Sequence, residues 1–165
     1  IWAAKLVPAS MIIGVDKVAS KLEMAKDFGA THVIDASKCD PVEKIIKLTD
    51  GGADYSFECI GDVKVMEQAF NSVHPGGMTV IAGAAPTGKK LCIEALPFVT
   101  GNIIVGTVGG STIPWVDIPK NIELYKRGLL PLHKFISRTY TLDEVNQAFE
   151  AMEKGEVARS IIVMD

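Results

Sequence analysis

Asp16 is the residue in this sequence whose type and position are best suited to ligand binding. It ends the apolar run MIIGVD (11–16), which has the composition of a buried strand. A carboxylate at the carboxyl end of a parallel strand can accept hydrogen bonds from both hydroxyls of a ribose, and its charge repels a 2′-phosphate. The pattern therefore favours a site for NAD over one for NADP. A strand-terminal Asp is equally typical of a turn or a cap, and methyltransferases carry an acidic residue at the same point.

The glycine-rich loop that should accompany such an Asp is missing from the sequence. In a dinucleotide-binding βαβ unit the acidic residue lies about 20 residues beyond that loop. Only fifteen residues precede Asp16, and residues 1–10 contain no glycine and have the pattern of the end of an amphipathic helix. We therefore expect the chain to begin inside a cofactor-binding unit, after the strand and loop that would hold a pyrophosphate.

A second glycine-containing segment, GAAPTGKK (83–90), nearly fits the phosphate-loop pattern. Gly83, Gly88 and Lys89 have the required spacing, but Lys90 stands where a Ser or Thr is needed to hold magnesium. The residues that follow are a poor start for a helix whose N-terminus must face phosphate. We interpret this segment as a loop that does not bind phosphate.

The cysteines and histidines indicate no metal site. An odd number of cysteines at wide spacing, without a CxxC pair, predicts reduced, structural thiols. The histidines stand apart from any candidate ligand or nucleophile, so we expect ordinary surface or core residues. The residues concerned are Cys39, Cys59, Cys92, His32, His74 and His133.

Composition excludes several classes of protein. A chain of 165 residues with 48% hydrophobic residues is expected to form one globular domain spanning residues 1–165. A net charge of −3 offers no basic surface for nucleic acid. No apolar run approaches the roughly 18 to 20 residues of a membrane span, and no leader peptide opens the chain. We expect a soluble, cytoplasmic protein without nucleic-acid or membrane partners.

Short β-branched runs alternate with helical patterns, which is typical of an α/β fold with a doubly wound parallel sheet. The predicted strands are 11–16, 31–35, 53–60, 78–83, 102–108 and 159–164. The predicted helices are 20–28, 41–48, 63–73, 119–126 and 142–153.

Two of these helices carry capping boxes, and two carry apolar stripes. Ser20 with Glu23, and Thr141 with Glu144, have the Ser/Thr-x-x-Glu spacing of a helix start. Helical spacing predicts two buried sets, which are Leu22, Ala25 and Phe28 in the first helix and Leu142, Val145, Ala148, Phe149 and Met152 in the last.

Several segments together resemble a known family. They are IIGVD (12–16), KDFGATHVID (26–35), DGGADYSFECIGDVKVM (50–66), VTGN (99–102) and GEVARSIIVM (155–164). The chain resembles, over essentially its whole length, the coenzyme-binding half of zinc-type medium-chain alcohol dehydrogenases. The branch that it resembles is class III, the glutathione-dependent formaldehyde dehydrogenases, for which DYSFECIG is distinctive.

The resemblance implies a set of residues on the adenosine side of a bound NAD. Asp16 resembles the acid that binds the adenosine ribose, and Lys21 resembles the lysine that assists it. Cys59, Ile60 and Gly61 match the strand end that lines the adenosine. For Lys21 the alternative is a solvated surface charge.

The resemblance also implies residues for the remainder of the cofactor. Gly83 and Ala84 match backbone near the nicotinamide, and Thr107 and Val108 match the segment that meets its carboxamide. Arg159 matches an arginine that approaches the pyrophosphate, with a solvated surface charge as the alternative.

The chain departs from the family in lacking its N-terminal domain. The catalytic zinc ligands, the four-cysteine lobe and the substrate pocket belong to that domain, so we assign no catalytic or metal-binding residue. The resemblance implies the coenzyme-binding portion of an NAD- and zinc-dependent enzyme that oxidises an alcohol or S-hydroxymethylglutathione. We expect this fragment alone to be inactive and to bind no zinc, and the full-length protein to form a homodimer.

Two other functions stay open at this point. The chain could be a non-catalytic nucleotide-binding or interaction module left after loss of a catalytic domain. A zinc-free quinone reductase is less favoured, because those relatives use NADPH and Asp16 opposes a 2′-phosphate.

The missing first strand predicts a defect in the sheet. In the order 3-2-1-4-5-6 the first strand is central, so its loss opens a gap between 11–16 and 53–60. Burying about five unpaired backbone groups at roughly 1 to 3 kcal/mol each would cost about 5 to 15 kcal/mol, the whole stability of a typical domain. We expect a visible gap, or completion of the sheet by another chain or a swapped segment.

Overall fold

Parallel strands and helices alternate along most of the chain. The structure is a computed structural model that describes residues 1–164. The strands are β1 (Ile13–Asp16), β2 (His32–Asp35), β3 (Ala53–Glu58), β4 (Val73–Ile81), β5 (Ile103–Gly106), β6 (Arg138–Tyr140) and β7 (Ser160–Ile162). The α-helices are α1 (Trp2–Leu6), α2 (Ala19–Asp27), α3 (Pro41–Thr49), α4 (Val63–Asn71), α5 (Leu96–Val99), α6 (Pro114–Lys126) and α7 (Val145–Glu153).

The strands form three separate sheets, of order β1-β2, β3-β4-β5 and β6-β7. Every pairing is parallel, which confirms the predicted α/β class. Within residues 1–164 no ladder joins β1 to β3, so the predicted gap is present. Tyr55 and Phe57 of β3 are 63% and 65% exposed, which shows that this edge strand is not buried.

The contacts of the chain group it into two compact units. The first comprises Ile1–Ile12, Val18–Thr31 and the C-terminal residues from Ile113. The second comprises Ile13–Lys17 and His32–Thr112, and it contains the first two sheets. The single domain over residues 1–165 stays a prediction.

The core of the second unit is formed by α4 packed on β3 and β4. The helix begins where the Asp62 side chain accepts a hydrogen bond from the backbone N–H of Lys64, at 2.8 Å. Phe70 is almost completely buried and its ring lies 5.2 Å from that of Phe98. In the same core, Thr79 is fully buried and its hydroxyl accepts a hydrogen bond from Ser56 at 2.9 Å. These contacts fix the strands whose ends carry the candidate site.

The core of the first unit includes three aromatic rings and the apolar face of α2. The rings of Trp2, Phe28 and Phe135 lie 4.6 to 6.0 Å apart. Leu22, Ala25 and Phe28 are all buried, so the predicted apolar stripe of this helix is confirmed. A short helix at residues 2–6 also agrees with the pattern seen in residues 1–10.

Two predicted helix starts are wrong. Helix α2 begins at Ala19, and its N-cap is Val18 without a side-chain hydrogen bond, so Ser20 lies inside the helix and forms no capping box. Helix α6 begins at Pro114, five residues before the predicted start at Pro119. There the Asp117 side chain accepts a hydrogen bond from the Ile113 N–H at 2.7 Å, which stabilises the earlier start.

The C-terminal helix is partly as predicted. Glu144 accepts a hydrogen bond from the Thr141 N–H at 2.9 Å, and the capping box is confirmed. It opens a 3₁₀ turn, Leu142–Glu144, which leads into α7. The predicted stripe is wrong at Leu142, Phe149 and Met152, which are exposed. Ala148 is buried as predicted, and the helix also buries Ala151, so its covered side is narrower than the stripe.

Candidate functional site

The candidate site lies at the carboxyl ends of three neighbouring strands. Glu58 ends β3 and pairs in register with Ile81, which ends β4; Ile81 pairs in turn with Gly106, which ends β5. Three loops therefore leave the sheet at one level, beginning at residues 59, 82 and 107. Open parallel sheets bind ligands at this edge.

Two glycines allow the first two loops to touch. A Cβ on Gly83 would lie 2.1 Å from the Gly61 nitrogen, closer than any real contact. Gly61 has a φ of +88°, and a Cβ there would lie 2.4 Å from the Ala84 oxygen. Only glycine fits at either position, so the two loops present bare backbone at this edge.

Glu58 holds both loops, and the sequence analysis did not identify it. Its side chain is 1% exposed, and Oε1 accepts hydrogen bonds from the N–H groups of Ile60 at 2.7 Å and Gly61 at 2.8 Å. Its main-chain oxygen accepts from Ala82 at 2.8 Å and Gly83 at 3.1 Å. A charged residue directly before residues 59–61 was the available signal, because an acidic side chain in an apolar strand requires a partner.

The second and third loops line an open cleft of about 810 Å³. The Thr107 N–H donates to the Ile81 oxygen at 3.0 Å, and the hydroxyls of Thr107 and Ser111 lie 2.9 Å apart. Val108 is 94% exposed. The cleft is lined by Ile81, Ala82, Gly83, Ala84, Gly106, Thr107, Val108, Gly109 and Ser111. The structure thus brings together all four residues that the sequence assigned to the nicotinamide end.

Three of the residues predicted for the adenosine side, Cys59, Ile60 and Gly61, also lie at this edge, on the loop after β3. Cys59 and Ile60 are exposed, and Gly61 is buried. Desolvation on its protein side, with the neighbouring Glu58, raises the pKa of the Cys59 thiol. A protonated thiol is a poor nucleophile and metal ligand, so Cys59 fits a lining role better than a chemical one.

Asp16 ends β1 and lies in register with Asp35, the last residue of β2. The Asp16 main-chain oxygen accepts a hydrogen bond from the Ala36 N–H at 3.0 Å. Asp35 is held by the turn that follows it: Lys38 lies 2.7 Å from Oδ2 and the Ser37 N–H donates to Oδ1 at 3.0 Å. The hydrogen bond from Lys38, with those from Ser37, lowers the pKa of Asp35 to about 2. The Asp35 carboxylate is therefore engaged by Ser37 and Lys38 of the turn that follows it.

Lys21 and Arg159 belong to the first unit, unlike the other predicted site residues. Lys21 is half-buried in α2, and its Nζ would lie 3.9 Å from a Cβ on Gly155. Arg159 is exposed, and its main-chain oxygen accepts from the Ser137 N–H at 3.0 Å. The contribution of both cations to cofactor binding stays a prediction.

The other chemical candidates contribute little. Residues 83–90 are followed by irregular chain, and α5 begins only at Leu96, so the helix that a phosphate loop needs does not follow them. Among residues 1–164 no group of three His, Cys, Asp or Glu could hold a metal ion. All three cysteines are free and exposed, so the expectation of structural thiols is wrong with respect to burial.

No helix among residues 1–164 is long and apolar enough to cross a membrane.

Sequence comparisons match the chain to one family. The sequence model of the family described as zinc-binding dehydrogenase matches residues 1–127. S-(hydroxymethyl)glutathione dehydrogenase of Paracoccus denitrificans is 38% identical, over 96% of this chain and 44% of that protein. Alcohol dehydrogenase 1 of Pisum sativum is also 38% identical, over 98% of this chain and 43% of that protein. The chain thus spans less than half the length of these curated relatives.

Solved structures give the same result. Benzyl alcohol dehydrogenase from Acinetobacter calcoaceticus superposes with a TM-score of 0.95 at 36% identity, over 99% of this chain and 45% of that chain. A zinc-binding dehydrogenase from Sinorhizobium meliloti, solved with NADP bound, superposes with a TM-score of 0.86 at 27% identity, over 99% of this chain and 48% of that chain. The resemblance stated from the sequence is confirmed.

Proposed function

Because this chain belongs to the zinc-binding dehydrogenase family, we propose that it is the coenzyme-binding portion of an NAD-dependent, zinc-containing alcohol dehydrogenase. The full-length protein would transfer hydride from an alcohol or S-hydroxymethylglutathione to NAD. Relatives named for each kind of substrate are equally similar to this chain, at 38% identity, so both substrates stay in the proposal. The observation that carries the proposal is the bare backbone of Gly61 and Gly83 beside the cleft at the edge of β3, β4 and β5.

The site fits a nicotinamide cofactor in shape. Side chains at Gly61 and Gly83 would collide with the facing loop, so the backbone there is fixed and offers no bulk to obstruct a ligand. The cleft beside Gly83 also contains exposed Val108 and the hydroxyl of Thr107, an apolar surface next to a hydrogen-bonding group. This combination suits a flat ring that carries a carboxamide. Gly83, Ala84, Thr107 and Val108 would hold the nicotinamide end.

Asp16 supports NAD over NADP as the cofactor. A carboxylate at the end of β1 can accept hydrogen bonds from ribose hydroxyls, and it would repel a 2′-phosphate. Asp35 beside it forms an ion pair with Lys38, so we assign the repulsion of a 2′-phosphate to Asp16. The relative from Sinorhizobium meliloti was solved with NADP bound, so the fold alone does not select NAD and the choice rests on the residues of this chain.

The chain's own part in the reaction is to bind and orient the cofactor. When bound, NAD accepts the hydride, while zinc acts as a Lewis acid on the alcohol oxygen. The backbone loops at residues 59–61, 82–84 and 107–108 would fix the ring relative to the substrate. We infer that the zinc ligands and the alcohol pocket lie in the part of the full-length protein that matches the remaining length of the relatives.

Homodimerisation and a cytoplasmic location also belong to this proposal. Exposed free thiols at Cys39, Cys59 and Cys92 suit a reducing compartment. The non-catalytic module is the competing function, and it shares the cofactor site but not the reaction.

The experiment is a pair of measurements on one preparation of the full-length protein. NAD and NADP are titrated by calorimetry, and zinc-dependent oxidation of alcohol and S-hydroxymethylglutathione is assayed. Binding of NAD with turnover supports the proposal. Binding without turnover supports the non-catalytic module, and absence of binding contradicts both.

A further inference from the structure

Among residues 1–164, Glu58 is the one buried acidic residue, and the proposed function gives it no role. We propose that Glu58 is a positioning residue that sets the shape of the two cofactor-binding loops, residues 59–61 and 82–84. The proposal rests on the function proposed above. It extends that function to a residue that would not touch the cofactor.

First, the Glu58 side chain accepts hydrogen bonds from the loop after β3. Oε1 accepts hydrogen bonds from two successive N–H groups, those of Ile60 at 2.7 Å and Gly61 at 2.8 Å. One acceptor atom with two short bonds fixes the direction of both peptide groups. The loop must then leave the strand in a single conformation, which includes the left-handed φ of +88° at Gly61.

Second, the Glu58 main chain accepts hydrogen bonds from the loop after β4. The Glu58 carbonyl oxygen accepts hydrogen bonds from the N–H groups of Ala82 at 2.8 Å and Gly83 at 3.1 Å. The same residue therefore holds one loop through its side chain and the other through its backbone. A change in the side chain is expected to move both loops, because Gly61 and Gly83 are in contact.

The third step is that stability alone does not explain the carboxyl group. Oε2 is buried and has no hydrogen-bond partner among residues 1–164, and a Cβ on Gly83 would lie 2.5 Å from it. A buried polar atom without a partner is unfavourable, and such atoms concentrate at functional sites. Oε2 lies against the inner side of Gly83, while Gly83 also lines the cleft. The carboxyl group thus supports the wall of the cofactor site from behind.

The test uses the full-length protein and two substitutions at this position. Glu58→Ala removes the acceptor of both N–H groups. Glu58→Gln keeps a carbonyl oxygen that can accept both bonds. We expect E58A to raise the dissociation constant for NAD at least tenfold and to raise KM for NAD much more than it lowers kcat. We expect E58Q to recover at least half of this loss on a logarithmic scale.

Thr79→Val is the matched control. Thr79 is fully buried in the same sheet, two residues before the end of β4, and its hydroxyl bonds to Ser56 and Ala69 and not to either loop. T79V is expected to lower the melting temperature while leaving the dissociation constant for NAD within twofold of the wild-type value. Loss of stability alone is thereby separated from displacement of the loops.

The outcomes separate this inference from the proposed function. If the wild-type protein binds NAD while E58A binds it as tightly as T79V does, the inference is overturned and the proposed function stands. If the wild-type protein binds no NAD, both are overturned. If E58A does not fold, Glu58→Met, which fills the same space without a strong acceptor for these N–H groups, decides through hydrogen exchange. Faster exchange at the amides of Ile60 and Gly61, with weaker NAD binding, supports the inference, and unchanged exchange with unchanged binding overturns it.

Discussion

Gly83 lies so close to Gly61 that a Cβ on Gly83 would be 2.1 Å from the Gly61 nitrogen. The contact joins the loops that follow β3 and β4, and it lies beside the cleft proposed to hold the nicotinamide. Gly83→Ala is therefore expected to separate the loops, because no backbone atom can yield by the required distance. We expect a destabilisation of about 1 to 3 kcal/mol by chemical denaturation and at least tenfold weaker NAD binding.

Gly106→Ala is the control for this steric prediction. No atom lies within 4 Å of a Cβ built at Gly106, and its φ is outside the left-handed region. The free energy of unfolding of the G106A variant is expected to stay within about 0.5 kcal/mol of the wild-type value. Equal destabilisation by both substitutions would contradict the account of Gly83.

Asp16→Ala tests the choice of cofactor. Loss of a charged acceptor of ribose hydroxyls is expected to cost roughly 1.5 to 3 kcal/mol per hydrogen bond, or about 10- to 150-fold in affinity for NAD. Affinity for NADP should change less, because repulsion of the 2′-phosphate is lost together with the hydrogen bonds. Asp35→Asn is the control, since Asp35 is engaged by Ser37 and Lys38. A preference for NAD that survives D16A unchanged would show that Asp16 does not select the cofactor.

His74 is expected to give a pH dependence to stability. Its hydrogen bond to the Pro75 oxygen at 2.6 Å, and then its contact with Asp54 at 3.2 Å, raise the pKa of His74 above its usual value of 6.5. A raised pKa in the folded state stabilises the protein below the unfolded pKa. That stability is lost as the pH rises through the folded pKa. NMR titration of the imidazole should show the elevated pKa, and Asp54→Asn should bring it closer to 6.5; an unshifted pKa in the wild-type chain would refute the assignment.

Asp35 is expected to contribute in the opposite pH range. The hydrogen bond from Lys38, and then those from Ser37, lower the pKa of Asp35 from 3.8 to about 2. A depressed folded pKa stabilises the protein above the unfolded value, and this contribution is lost as the pH falls from about 4 towards 2. Lys38→Met should raise the pKa measured by carboxyl NMR. If Lys38→Met leaves that pKa unchanged, the ion pair is not its cause.

The open edge of β3 predicts self-association of the 165-residue chain. Unpaired backbone beside exposed Tyr55 and Phe57 is a template for pairing with another strand. Phe57→Lys should shift the chain towards monomer in sedimentation velocity, because a charge on an edge strand opposes pairing. Val99→Lys, at an exposed apolar residue outside any strand, should have no such effect. A wild-type chain that stays monomeric at all accessible concentrations would contradict this prediction.

The strand pattern could be predicted from sequence because β-branched runs and helix signals are local. Asp16 was placed at a strand end correctly, and the predicted gap between β1 and β3 is present among residues 1–164. Helix starts were predicted less accurately. Ser20 and Thr141 both begin a Ser/Thr-x-x-Glu sequence, but only Thr141 forms a capping box. The two segments differ in where the helical backbone begins, which is before Ser20 in one and directly after Thr141 in the other. The Ser/Thr-x-x-Glu spacing does not determine that position.

The candidate site shows the same limit. Resemblance supplied four of the nine residues that line the cleft, namely Gly83, Ala84, Thr107 and Val108. Glu58 was missed because its role depends on two loops meeting in space, and the sequence shows only an acidic residue at a strand end. Phe149 was wrongly placed in the core because helical spacing predicts a stripe without saying which side is covered.

Hydrogen exchange of the full-length protein, with and without saturating NAD, tests most directly whether the edge of β3, β4 and β5 binds the cofactor. NAD is predicted to protect the amides of residues 59–61, 82–84 and 107–111. The helix face around Met66 and Phe70, which is buried on the core side of the sheet, should be unchanged and serves as the internal reference. Binding of NAD that leaves all three loops unprotected would contradict the account.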